Sequence, residues 1–185
     1  MRRSLPLALT TFRLLLGPAA LLSAFLGASR FVYLPILVAG TLSDIFDGIL
    51  ARRLGVATPA LRRYDSTTDV IYYLFLLATA WVARREVLVA AAWAIAILLF
   101  SETLLVAVSF ARFRTYPATH SYLAKAYGLC LLGGCVALLV FNAGDWVILS
   151  VVVVGLAANA EILAIHLLLD APPVDVRSVF DVWRK

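Results

Sequence analysis

Six apolar stretches, each about as long as a bilayer core is thick, fill most of this 185-residue chain and leave it few folds to choose from. They fall roughly at residues 7–26, 31–54, 64–82, 87–110, 122–141 and 146–169. None alternates as a barrel strand does, and backbone groups in hydrocarbon must bond within their own segment. An all-α fold is therefore expected, a six-transmembrane-helix bundle. Hydrophobic residues at 63% and a mean hydropathy of +0.97 exclude an ordinary soluble domain. No linker, low-complexity tract or internal repeat divides the chain, so a single domain over 1–185 is expected. A short tail from about residue 171, opening with Pro172-Pro173, is expected to leave the bilayer and run along its surface.

Loop charge orients the bundle. One side would carry Arg2, Arg3, Arg52, Arg53, Arg62, Arg63, Arg112, Arg114, Lys125, Arg177, Arg184 and Lys185; the other would carry only Arg30, Arg84 and Arg85. With an even number of spans, the excess of basic residues puts both termini in the cytoplasm. The net charge of +5 then reflects topology and attraction to anionic lipid, and no nucleic acid is expected as a partner. The start of the chain has the outline of a cleavable signal peptide, but Arg13 and Pro18 interrupt its apolar run, so it is read as a retained first span.

Several residues inside the spans need a reason to be there. Cys130 and Cys135 suit ordinary packing better than a metal site or disulfide. Gly128, Gly133 and Gly134 suit close helix contact. Glu102 and Glu161 need partners on neighbouring helices, and His120 and His166 are read as interfacial. Arg13 is expected either to snorkel to the headgroups or to bind phosphate. Trp81, Trp93, Trp146 and Trp183 mostly mark the membrane boundary.

The chemistry gathers in one window. Asp44, Asp47, Asp65 and Asp69 are half of the chain's aspartates, set where the second and third spans meet. Carboxylates near a bilayer core are costly and repel one another unless a cation lies between them. Divalent ions that hold phosphate oxygens are the natural choice, as two Mg²⁺ or Mn²⁺ ions bridging a pyrophosphate. Asp44 and Asp47 are three positions apart, Asp65 and Asp69 four, so each pair shares a helix face. Gly48, Ala51 and Arg52 continue the first face, leaving room for a ligand and a fork of donors for phosphate. A solvated loop would account for the arginines but not for this spacing.

These residues resemble the signature of the CDP-alcohol phosphotransferase family, D-x2-D-G-x2-A-R-x8-G-x3-D-x3-D. Seven of its eight fixed positions match, from Asp44 through Asp47, Gly48, Ala51 and Arg52 to Asp65 and Asp69. Thr11, Phe12, Arg13 and Pro18 add to the likeness, as does the six-helix plan. The eighth position, a glycine in the family, is Leu61. Val70 stands where many members carry a basic residue.

The resemblance implies a metal-dependent enzyme of phospholipid biosynthesis, integral to the membrane (the inner or plasma membrane in a bacterium), with its site facing the cytoplasm. Asp44, Asp47 and Asp65 would be the main metal ligands, and Asp69 the catalytic base that also touches the second ion. Asp47, Gly48, Ala51, Arg52 and Leu61 would meet the nucleotide-linked donor. The expected reaction transfers a phosphatidyl group from CDP-diacylglycerol to a polar alcohol, with glycerol 3-phosphate the first choice and an inositol phosphate next. Arg112, Arg114 and Lys125 would hold that anionic acceptor, or else anchor the cytoplasmic face. A CDP-linked small alcohol donating to diacylglycerol is the enzymatic alternative. A divalent-cation transporter using the same carboxylates is the alternative from another class, but it leaves Arg52 unexplained. Family members are often homodimers, and the glycine-rich fifth span suits one.

Overall fold

The computed structural model describes residues 4–117, 119, 121–171 and 176–183. Every regular element among them is helical: α1 (Leu5–Phe25), α2 (Tyr33–Arg53), α3 (Pro59–Ala83), α4 (Arg85–Ala90), α5 (Ala92–Phe113), α6 (Tyr122–Leu139), α7 (Asp145–Leu168) and α8 (Val179–Trp183), with one 3-10 turn at Arg30–Val32. Six segments are long and apolar enough to cross a membrane. Large apolar side chains on their outer faces, Leu15, Leu22, Phe25 and Phe100 among them, are exposed, as a hydrocarbon solvent permits. All four tryptophans are exposed as well.

The chain forms two compact units, residues 1–85 with 135–142, and residues 86–134 with 143–185. In the first, α1 packs against both α2 and α3. Gly40 on α2 has no side chain to oppose Tyr72 of α3; a Cβ there would lie 2.5 Å from the Tyr72 hydroxyl. That missing atom lets the two helices approach closely.

The link between α2 and α3 is built from strong local signals. Gly55, at φ +65°, lets the amides of Gly55 and Val56 bond back to the carbonyls of Arg52 and Ala51, which ends α2 in a Schellman turn. Thr58 then accepts from the Leu61 amide at 3.2 Å, and Pro59 opens α3. As a result α3 begins a full turn before the expected residue 64, and Leu61 lies in a helix rather than a loop.

In the second unit, Ala94, Leu98 and Val152 form a core backed by Tyr127, Ile148, Leu149 and Leu156. Of the three glycines expected to aid packing, Gly134 does: a Cβ there would fall 2.6 Å from Val151. Gly128 and Gly133 face open space. The fourth span, expected as one helix, is broken at Ala91. Its backbone (φ −99°, ψ 11°) leaves the α region, and the Ala94 amide takes the Ala91 carbonyl in a tighter turn. The tail is tied to this unit: Glu161 accepts from the Ser178 hydroxyl and the Val179 amide, and the Tyr122 amide donates to the Arg177 carbonyl.

Candidate functional site

The four aspartates converge, and what they converge on is Arg13. Its Nη1 pairs with Asp44 and, at 2.8 Å, with Asp69; its Nη2 pairs with Asp65 and, at 3.4 Å, with Asp47. Three helices of the first unit meet here, α1 supplying the guanidinium, α2 one acid pair and α3 the other. Arg13 therefore does not snorkel to the headgroups; its guanidinium lies among the carboxylates. Its side chain is 2% exposed, and a charge buried so deeply beside apolar helices is tolerated because the carboxylates pair with it.

The four acids are not equivalent. Asp47 is buried at 4% exposure, and the single proton of the Thr10 hydroxyl is shared between its carboxylate at 2.8 Å and the Pro6 carbonyl at 3.0 Å. Asp44, Asp65 and Asp69 are 49%, 33% and 37% exposed, so the cluster opens on one side. Four carboxylates against one guanidinium leave a local surplus of negative charge.

One oxygen from each of Asp44, Asp47 and Asp65 lies within 4.8 Å of the others. Opposite oxygens around a six-coordinate Mg²⁺ are about 4.2 Å apart, so closing this triad on an ion takes less than roughly 1 Å. Hard carboxylate oxygens suit Mg²⁺ or Mn²⁺, and the donor set fits such an ion. Asp69 falls outside this triad among the described residues.

Around the acids, Gly48 has no side chain of its own, and among the described residues Arg52 comes near its absent Cβ, at 3.4 Å and beyond. Ala51 is buried and Arg52 exposed. Leu61 lines a cavity of about 520 Å³ with Ser4, Leu7, Val56, Ala60 and Tyr64. The Tyr64 hydroxyl is bonded to Thr11 at 3.1 Å.

Arg112, Arg114 and Lys125 belong to the second unit. Arg112 donates to the Leu169 carbonyl at 3.2 Å and lies 3.9 Å from Asp170. Arg114 is the left-handed C-cap of α5, and the Lys125 ammonium sits over the Tyr122 ring. His120 lies outside the described residues. His166 is buried, with Nδ1 against the Ile162 carbonyl and its ring against Phe113, so it is a packed residue rather than an interfacial one.

The CDP-alcohol phosphatidyltransferase family model matches residues 3–158, most of the chain, and the chain belongs to that family. It is accordingly a membrane-integral transferase of lipid synthesis, from a metal-dependent family whose substrates are a CDP-alcohol and an acceptor alcohol. No curated protein and no solved structure matches the chain.

Proposed function

We propose that this enzyme transfers the phosphatidyl group of CDP-diacylglycerol to a polar alcohol, with release of CMP, at the cluster of Asp44, Asp47, Asp65 and Asp69. The observation that carries the reading is the convergence of all four carboxylates, from two helices, on one point beside an open flank. Asp44, Asp47 and Asp65 would be the main ligands of the metal, and Mg²⁺ or Mn²⁺, as two ions, would supply positive charge to steady the departing CMP.

Asp69 takes the proton from the acceptor hydroxyl. The alcohol oxygen then bonds to the phosphorus that carries diacylglycerol, and the bond from that phosphorus to the oxygen of CMP breaks. Thr10 holds the Asp47 carboxylate in place through its hydroxyl. Gly48, with no side chain of its own, admits the donor, the small Ala51 stays buried three residues on, and Arg52 reaches the donor phosphates. Leu61 gives the neighbouring cavity an apolar wall where the family's glycine would leave space, which shapes how the nucleotide sits. Arg112, Arg114 and Lys125 attract an anionic acceptor, of which glycerol 3-phosphate is the first choice. Arg112, already donating to the Leu169 carbonyl with Asp170 nearby, contributes least.

The excess of basic residues near this end of the spans supports a cytoplasmic site with both termini on that side. The test is purified protein with Mg²⁺ or Mn²⁺, CDP-diacylglycerol and a panel of alcohols, scored for CMP. Release with glycerol 3-phosphate is expected. Consumption of diacylglycerol with a CDP-linked small alcohol would reverse the assignment of donor and acceptor, and no release with any alcohol would overturn the reading.

A further inference from the structure

We propose that Arg13 is a resident counter-cation of the acidic cluster and that metal loading is an exchange, in which the guanidinium leaves the carboxylates as the divalent ion takes them. The inference rests on the metal-site reading above and goes beyond it, because it assigns a competing occupant to the same carboxylates.

Arg13 pairs with each of Asp44, Asp47 and Asp65, the three residues grouped at metal-binding spacing, and with Asp69 beside them. A guanidinium and a divalent ion held by the same carboxylates would lie within a few ångströms of each other in a poorly screened setting, so each weakens the other's hold.

A permanent strut would be expected to satisfy every donor on the arginine. Here Nε is buried and has no partner, while both Nη atoms serve the acids. An orphaned charged donor makes the paired state costly and easier to leave. The opposite cost is repulsion: without any cation, four neighbouring carboxylates push apart. Arg13 thus holds the cluster together until metal arrives and must then give way, so its presence lowers apparent metal affinity while preserving the geometry that the metal finds.

The test is Mn²⁺ binding to the full-length protein in nanodiscs without nucleotide, read by loss of the free-ion electron paramagnetic resonance signal. Arg13→Gln is expected to bind Mn²⁺ about tenfold or more tightly than the wild type, since a neutral amide no longer competes. Its metal-free thermal midpoint should fall below that of the wild type and be restored by Mn²⁺. Equal or weaker Mn²⁺ binding by Arg13→Gln would overturn the exchange alone. No binding by either protein would overturn the metal-site reading together with it. If Arg13→Gln does not fold, a structure of the wild type with Mn²⁺ decides: Arg13 off Asp44 and Asp65 supports the exchange, and Arg13 still bonded to both overturns it.

Discussion

Asp44, Asp47, Asp65 and Asp69 meet a single guanidinium, whereas Glu102 in the second unit meets, among the described residues, the neutral side chains of Asn159 and Tyr127. Asn159 in turn donates to the Ser101 hydroxyl at 2.9 Å, so this second network ties α5, α6 and α7 together. Both place acids within spans, where a bare carboxylate is expensive. The Glu102 network spreads one acid over neutral donors from two neighbouring helices. The aspartate cluster does not close: it keeps more acid than cation, and three of its four members reach solvent. An acid whose partners are all internal reads as a helix tie, and a surplus of acid around an opening reads as a place for a ligand.

The largest effect that would break this contrast is at the base. Asp69→Asn is expected to lower the rate of CMP release by about 10³-fold while largely sparing donor binding. Equal loss of turnover and of CDP-diacylglycerol binding would make Asp69 mainly a metal ligand. Next comes the support behind the acids: Thr10→Val removes the bond to Asp47 and is expected to weaken Mn²⁺ binding by about tenfold in the same titration.

The Glu102 side of the comparison predicts stability without function. Glu102→Leu strands Asn159 and Tyr127 and should cost about 1–2 kcal/mol in thermal or denaturant unfolding. Glu102→Gln should stay close to wild type in both stability and CMP release; a large loss of release would show that this acid is needed as a charge. The smallest effect is expected at Leu61→Gly, which should leave the fold intact and tighten cytidine-nucleotide binding by a few-fold, measured by calorimetry. It should lower stability by about 1 kcal/mol through helix propensity. Unchanged affinity would mean that Leu61 does not touch the nucleotide.

The spans and the aspartate window were legible in the sequence for simple reasons. Bilayer thickness sets span length, and spacings of three and four fix which acids share a face. Arg13 was not legible, because the direction a side chain takes from α1 depends on which helices pack there. A signal was present all the same: a lone arginine within an apolar run, next to Thr10, must face protein rather than lipid. The early start of α3 was written in Gly55, Thr58 and Pro59, but the neighbouring arginines made the stretch look like loop. The break at Ala91 has no comparable mark in its alanine-rich surroundings. Ser178 and Val179 reach Glu161 only through tertiary packing, which neither segment announces.

The Gly55 turn and the Thr58 cap leave only residues 54–58 between two helices that end and begin at defined points. Each residue inserted or removed within a helix start rotates everything after it by about 100°. A one-residue deletion that shifted the start of α3 against its cap would therefore swing Asp65 and Asp69 away from Asp44 and Asp47 with no change of residue type. The distance along the chain between the two acid pairs is thus a rotational setting, and lengthening this turn should be far less tolerated than changing the identity of what fills it.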